Sequence, residues 1–166
     1  MSRHSKNPRR VSFLDSFVEI KLSNGDIRER CRFNFSYFDD TQLHASAFSS
    51  LSTEEMSSFF EKLRHYSKSS LNFWRNERCG GARGLRVLAD YDSFPENSDF
   101  THPKFVPIDA RWGRFRMENF TRLVGFTIPG LLGSEAPKKD GFPFDMNTFY
   151  IVFIDLNHRF YKVEKN

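Results

Sequence analysis

Behind Phe17, apolar and polar residues alternate from Val18 to Leu22, the period of a half-buried strand. Ser23-Asn-Gly-Asp26 follows, and Asn-Gly is the strongest short signal for a hairpin turn. Alternation resumes from Ile27 to Phe38, with Cys31, Phe33, Phe35 and Tyr37 in phase. Residues 17–38 therefore predict a β-hairpin. Ser52-Thr-Glu-Glu55 is a capping box, and Met56, Phe59, Phe60 and Leu63 behind it form the stripe of an amphipathic helix. Ser69 or Ser70 can cap a second helix that carries Leu71 and Trp74 and ends before Gly80-Gly81.

The second half of the chain has a different texture. Residues 80–104 are rich in glycine, proline and charge and predict a long connection. Lys104–Ile108 predicts a short strand, and Arg114–Ile128 one or two more. Pro129–Asp145 carries three Gly and three Pro and predicts an inserted loop, taken as 129–146. Thr148–Ile154 is apolar on both faces, the mark of a central, buried strand. Asp155-Leu-Asn-His158 reads as a turn and Arg159–Val163 as a terminal strand. Strands, two helices and then three to four strands make an α+β fold, an antiparallel sheet with a helical pair on one face. Residues 13–166 form one domain behind a disordered basic tail, 1–12.

Composition narrows the class. Of 166 residues 39% are hydrophobic and 20 are Phe, enough for a packed core. The longest apolar run, Phe149 to Ile154, is far too short to span a bilayer. The first ten residues lack the apolar run of a signal peptide, so the expected compartment is the cytoplasm, without a membrane partner. The net charge of +4 comes from that tail: Arg3, Lys6, Arg9 and Arg10 lie there without an acid, and the other Lys and Arg number 21, equal to the 21 acidic residues. The body is neutral, and any polyanion site in it must arise from local clustering. Cys31, Cys79 and the five His residues have no metal or redox spacing. No metal or cofactor is expected.

Candidate chemistry lies in the last third. Arg122 interrupts an apolar row, Phe120, Val124, Phe126 and Ile128, on one strand face. It reads either as a rim arginine paired with Glu118 or Asp155, or as a guanidinium packed into a concave phosphate site. Arg114 and Arg116 share a face, and Arg111 is a candidate to extend their row. The row reads as a polyanion contact or as a charged edge strand. His158 and Tyr161 follow the buried strand. His158 reads as a turn residue bonded to Asp155 or as a proton donor to an alkoxide.

Trp112-Gly-Arg-Phe-Arg116, Glu118, Arg122-Leu-Val-Gly-Phe126 and the buried strand ending in His158-Arg-Phe-Tyr161 together resemble the C-terminal half of the RelE/ParE toxin superfamily, above all its ribosome-dependent mRNA endonucleases. The family's order of a strand, a helical hairpin and an antiparallel sheet is similar to the order from Arg30 to Val163. The layout also resembles a group of small bacterial and prophage proteins. The resemblance implies a metal-independent endoribonuclease in which the ribose 2′-OH attacks the adjacent phosphate of mRNA, on the ribosome, with an antitoxin or immunity protein as partner. It implies that Arg122 stabilises the pentacoordinate phosphate, that His158 protonates the leaving 5′-oxygen and that Tyr161 orients or stacks the substrate. Arg111, Arg114, Arg116, Arg159 and Lys162 would grip the RNA. The family's base lies upstream of the arginine strand, and here Glu118, Lys104 and Asp109 are the candidates. The neutral body and the 129–146 insertion depart from the family pattern. The unassigned base, the neutral body and the Phe-rich composition favour an alternative on the same scaffold, a non-catalytic protein- or nucleic-acid-binding module of a defence or prophage system.

Overall fold

The computed structural model describes residues 26–117, 121–129 and 145–162. The basic tail, the first arm and Asn-Gly turn of the expected hairpin, Glu118 and most of the 129–146 insertion lie outside the described residues. The chain is α+β, as its patterning predicts. A five-stranded sheet has the order β1 (Arg32–Asn34), β7 (Thr148–Asp155), β6 (Arg122–Thr127), β5 (Arg111–Arg116) and β4 (Leu88–Asp90). A small ribbon pairs β2 (Arg78–Cys79) with β3 (Leu85–Arg86).

The sheet is mixed rather than antiparallel, because β1 runs parallel to β7. The second arm of the expected hairpin, 27–38, is not a continuous strand. Asp26–Glu29 is a helical turn, α1, and the strand is three residues long. Asn34 ends it by accepting the Ser36 N–H on Oδ1 at 2.8 Å, which turns the chain away from the ladder. Cys31 and Phe33 enter the core on the helical side of the sheet, whereas Tyr37 crosses to the other side and packs on Phe126 and Tyr150.

Helix α2 (Thr53–Tyr66) begins at the predicted capping box: Ser52 Oγ accepts Glu55 N–H at 3.2 Å, and Glu55 Oε2 accepts Ser52 N–H at 2.8 Å. Its buried residues are Phe59, Leu63 and Tyr66, while Phe60 is exposed. Ser70 caps α3 (Leu71–Asn76), which buries Leu71 and Trp74. Trp74 Nε1 donates to Tyr66 O at 2.7 Å and ties the two helices together.

Three other expectations change. The predicted connection 80–104 contains β3 and the edge strand β4. Lys104–Ile108 is not a strand, because Pro103 and Pro107 start turns closed by Val106 N–H to Pro103 O at 3.1 Å and Ala110 N–H to Pro107 O at 3.2 Å. Residues 159–162 form no strand either, since Asp155 draws the chain back on itself after β7.

The two sheet faces carry separate cores. One holds Phe115, Leu123, Phe149, Ile151 and Ile154 under α2 and α3. The other holds Trp112, Val124, Phe126, Val152 and Phe153, covered by Phe100, Val106 and Phe160 from irregular chain. On β7 the alternation slips. Val124 pairs with Phe153 and Gly125 with Ile151, so Val152 is bulged, and Val152 and Phe153 both enter the second core. A bulge re-aims every residue beyond it. Without it Asp155 would share the helical face with Phe149 and Ile151; with it, Asp155 lies opposite Arg122 on the other face.

Candidate active site

The bulge assembles a row across three strands. Arg116 pairs with Arg122, and Arg122 pairs with Asp155, at one end of the sheet on the helix-free face. Arg114 lies one step along β5, opposite Val124. Arg122 is 3% exposed and Asp155 1%, while Arg114 and Arg116 are half-buried.

Arg122 Nη1 donates to Thr121 O at 2.8 Å. Burial, helped by the charges of Arg116 and Arg114, brings its pKa down to about 10, even though Asp155 and Tyr91 pull the other way. Three guanidiniums so close repel one another and favour an anion between them. Two of their buried donors, Arg114 Nη1 and Arg116 Nε, find no acceptor among the described residues. A donor left in this state costs about 1–3 kcal/mol.

Asp155 builds the turn that presents His158. Its Oδ1 accepts Asn157 N–H and Arg159 N–H, each at 3.1 Å, and its Oδ2 accepts Phe160 N–H at 2.9 Å. His158 takes a left-handed backbone, φ 56°, which a short polar residue tolerates better than a branched one. Burial lowers the pKa of the imidazole; Arg122, Arg114 and Arg116 lower it further, and Asp155 opposes them. The imidazole is thus held toward its neutral form, within the field of all three arginines.

Tyr161 stacks on Tyr91, with ring centroids 4.8 Å apart and planes 17° apart, and is 47% exposed. Tyr91 accepts Arg114 Nε–H on its hydroxyl at 2.6 Å. The structure therefore brings together Arg114, Arg116, Arg122, His158 and Tyr161. It adds Tyr91, which the sequence reading missed because no motif marks a tyrosine just beyond a three-residue strand.

The other predicted contacts lie elsewhere. Arg111 is on the opposite face and does not extend the row, because it is out of phase with Arg114. It lines a cleft of about 280 Å³ with Asn72, Arg75, Thr127, Ile128, Pro129 and Met146. Arg159 pairs with Asp99 at 3.1 Å, and Lys162 pairs with the same carboxylate. Lys104 and Asp109 are exposed and are not among the charges acting on Arg122 or His158. Among the described residues no group of three His, Cys, Asp or Glu is placed to hold a metal ion, and no helix is long and apolar enough to cross a membrane.

Comparison of the chain with protein-family models, curated proteins and solved structures yields no match. The class defined by fold and site together is an α+β protein with one buried and two half-buried arginines edged by a histidine and stacked tyrosines.

Proposed function

We propose that the protein is a RelE-like, metal-independent endoribonuclease that cuts mRNA, held in check by an antitoxin or immunity partner. The observation that carries this reading is the convergence of Arg114, Arg116, Arg122, His158 and Tyr161 on one end of one sheet face. The order of strand, two helices and further strands also fits the resemblance.

In this reading a phosphodiester sits on the three guanidiniums, which stabilise the charge that grows on its oxygens. Its negative charge offsets the repulsion of the three arginines, which adds to burial in lowering the His158 pKa, and so favours the protonated imidazole. The 2′-oxygen attacks the adjacent phosphorus as the bond to the 5′-oxygen breaks. Glu118 takes the 2′-OH proton, and His158 gives its proton to the leaving 5′-oxygen. The products are a 2′,3′-cyclic phosphate and a free 5′-OH.

One observation favours a second reading, a binding module without catalysis. Of the base candidates, Lys104 and Asp109 are exposed and are not among the charges acting on Arg122 or His158. The two readings part in a single experiment. Induced expression of the wild-type chain should arrest bacterial growth, and Arg122→Ala should not; purified protein should release 2′,3′-cyclic phosphate ends from RNA in the presence of EDTA. Equal growth sinks the toxin reading. RNA bound with salt dependence but left uncut establishes the binding module.

A further inference from the structure

Tyr91 stands where the arginine cluster meets the aromatic stack. Its backbone N–H donates to Trp112 O at 2.7 Å, which continues the β4–β5 ladder one residue beyond Asp90 and sets the ring on the face of Arg114. Its hydroxyl accepts Arg114 Nε–H at 2.6 Å. Its ring lies 4.8 Å from that of Tyr161, nearly parallel, and 6.0 Å from that of Phe160.

Each contact restrains a different partner. A bond at Nε fixes the plane of a guanidinium, so the position of Nη1 on Arg114 is set as well. That Nη1, like Nε of Arg116 two residues along the same strand face, is a buried donor with no acceptor among the described residues. Two such donors on one strand face can serve the oxygens of a phosphate. On the other side of Tyr91, Tyr161 has one ring face covered by the stack and is 47% exposed. A supported aromatic ring with an open face is a platform for a nucleobase.

We infer that Tyr91 is a positioning residue that clamps Arg114 for a phosphate and backs Tyr161 for an unpaired base, so that the site selects single-stranded RNA over duplex. This inference rests on the reading that RNA is the substrate. In a duplex each base is covered on both faces by its neighbours and cannot lie on Tyr161; in a single strand the phosphate and an adjacent base can engage both halves of the site at once.

The test uses the full chain, a short fluorescein-labelled RNA oligonucleotide, the same strand annealed to its complement, and inorganic phosphate. Anisotropy is read across a salt series for wild type, Tyr91→Phe and Tyr161→Leu, and phosphate binding is read from the arginine Nε–Hε resonances. Tyr91→Phe keeps the ring and removes the acceptor. It should bind the single strand about tenfold more weakly, with a salt slope lower by about one. Tyr161→Leu, an exposed change that leaves the core intact, should lose the preference for single strand and keep the salt slope. Wild-type affinity and slope in Tyr91→Phe overturn the inference and leave the RNA reading standing, and equal wild-type affinity for single strand and duplex overturns the selectivity. If wild type binds phosphate but no RNA, the RNA reading fails and the clamp is judged on phosphate: weaker binding in Tyr91→Phe supports it, unchanged binding overturns it. Binding of neither ligand overturns both.

Discussion

Replacing Arg122 by Met should make the protein more stable and abolish the phosphate binding proposed for it. The arginine is 3% exposed and its pKa is brought from an ordinary 12.5 to about 10. At about 1.36 kcal/mol for each tenfold change in proton affinity, its charge costs the folded state roughly 3 kcal/mol. That figure already includes the attraction of Asp155, since the depressed value is the net result of all neighbours. Met retains much of the packing and loses the hydrogen bonds of the guanidinium, that to Thr121 O among them, each worth about 1 kcal/mol. Asp155 keeps its three backbone donors, so the substitution does not leave it bare. The net gain should be about 1–2 kcal/mol. Because the folded-state pKa is the lower one, the penalty is complete at neutral pH. It is relieved only above about pH 10, where the folded state sheds a proton that the unfolded chain keeps. Urea unfolding at pH 7, with and without phosphate, measures both halves. Phosphate should raise the midpoint of wild type by mass action and leave Arg122→Met unmoved. A variant that is less stable than wild type by 1 kcal/mol or more, or equally protected by phosphate, refutes the account of Arg122 as a strained anion ligand.

Three further outcomes follow from other parts of the structure. A Cβ on Gly125 would lie 2.1 Å from Tyr150 O and 2.7 Å from the Phe149 ring, so Gly125→Ala must part β6 from β7 at the bulge; a loss of about 3 kcal/mol is expected, and urea stability within 0.5 kcal/mol of wild type would show the approach to be slack. The depressed pKa of His158 makes the unfolded chain bind a proton first as pH falls below 6.5, so stability drops there; His158→Asn, which tolerates the left-handed backbone, should drop less between pH 7 and 5, and NMR of wild type should show the imidazole pKa rising when phosphate binds. Burial raises the Cys31 thiol to about 12, where it donates to Tyr66 O at 3.2 Å, while Cys79 is exposed; a thiol reagent at pH 8 should label one cysteine in the folded protein and two in urea, and equal rates would contradict the burial of Cys31.

The chemistry of the site shows why reading it from sequence goes only part of the way. Arg114 and Arg116 were legible as a pair because strand alternation is local, and the same alternation puts Arg111 on the other face, out of reach. Arg159 and Lys162 look like nucleic-acid contacts until Asp99, some sixty residues away in the chain, takes both. Tyr91 carries no local signal at all; only the pairing of β4 with β5 sets it beside Arg114.

Local physics wrote the helices into the sequence. A capping box followed by a 3.6-residue apolar stripe places the start of α2 at Ser52, and Ser69-Ser70 marks the start of α3, because caps and periodicity act within one or two turns. The buried strand β7 and the turn after it were legible for the same reason. Tertiary structure alone decided the parallel pairing of β1 with β7, and the bulge at Val152, which leaves no mark in the residue pattern of β7. The site depends on that bulge. One extra residue in a ladder reverses the face of everything beyond it, so whether Asp155 and the His158 turn meet Arg122 or face the helices is settled between strands, by register, and not within any one of them.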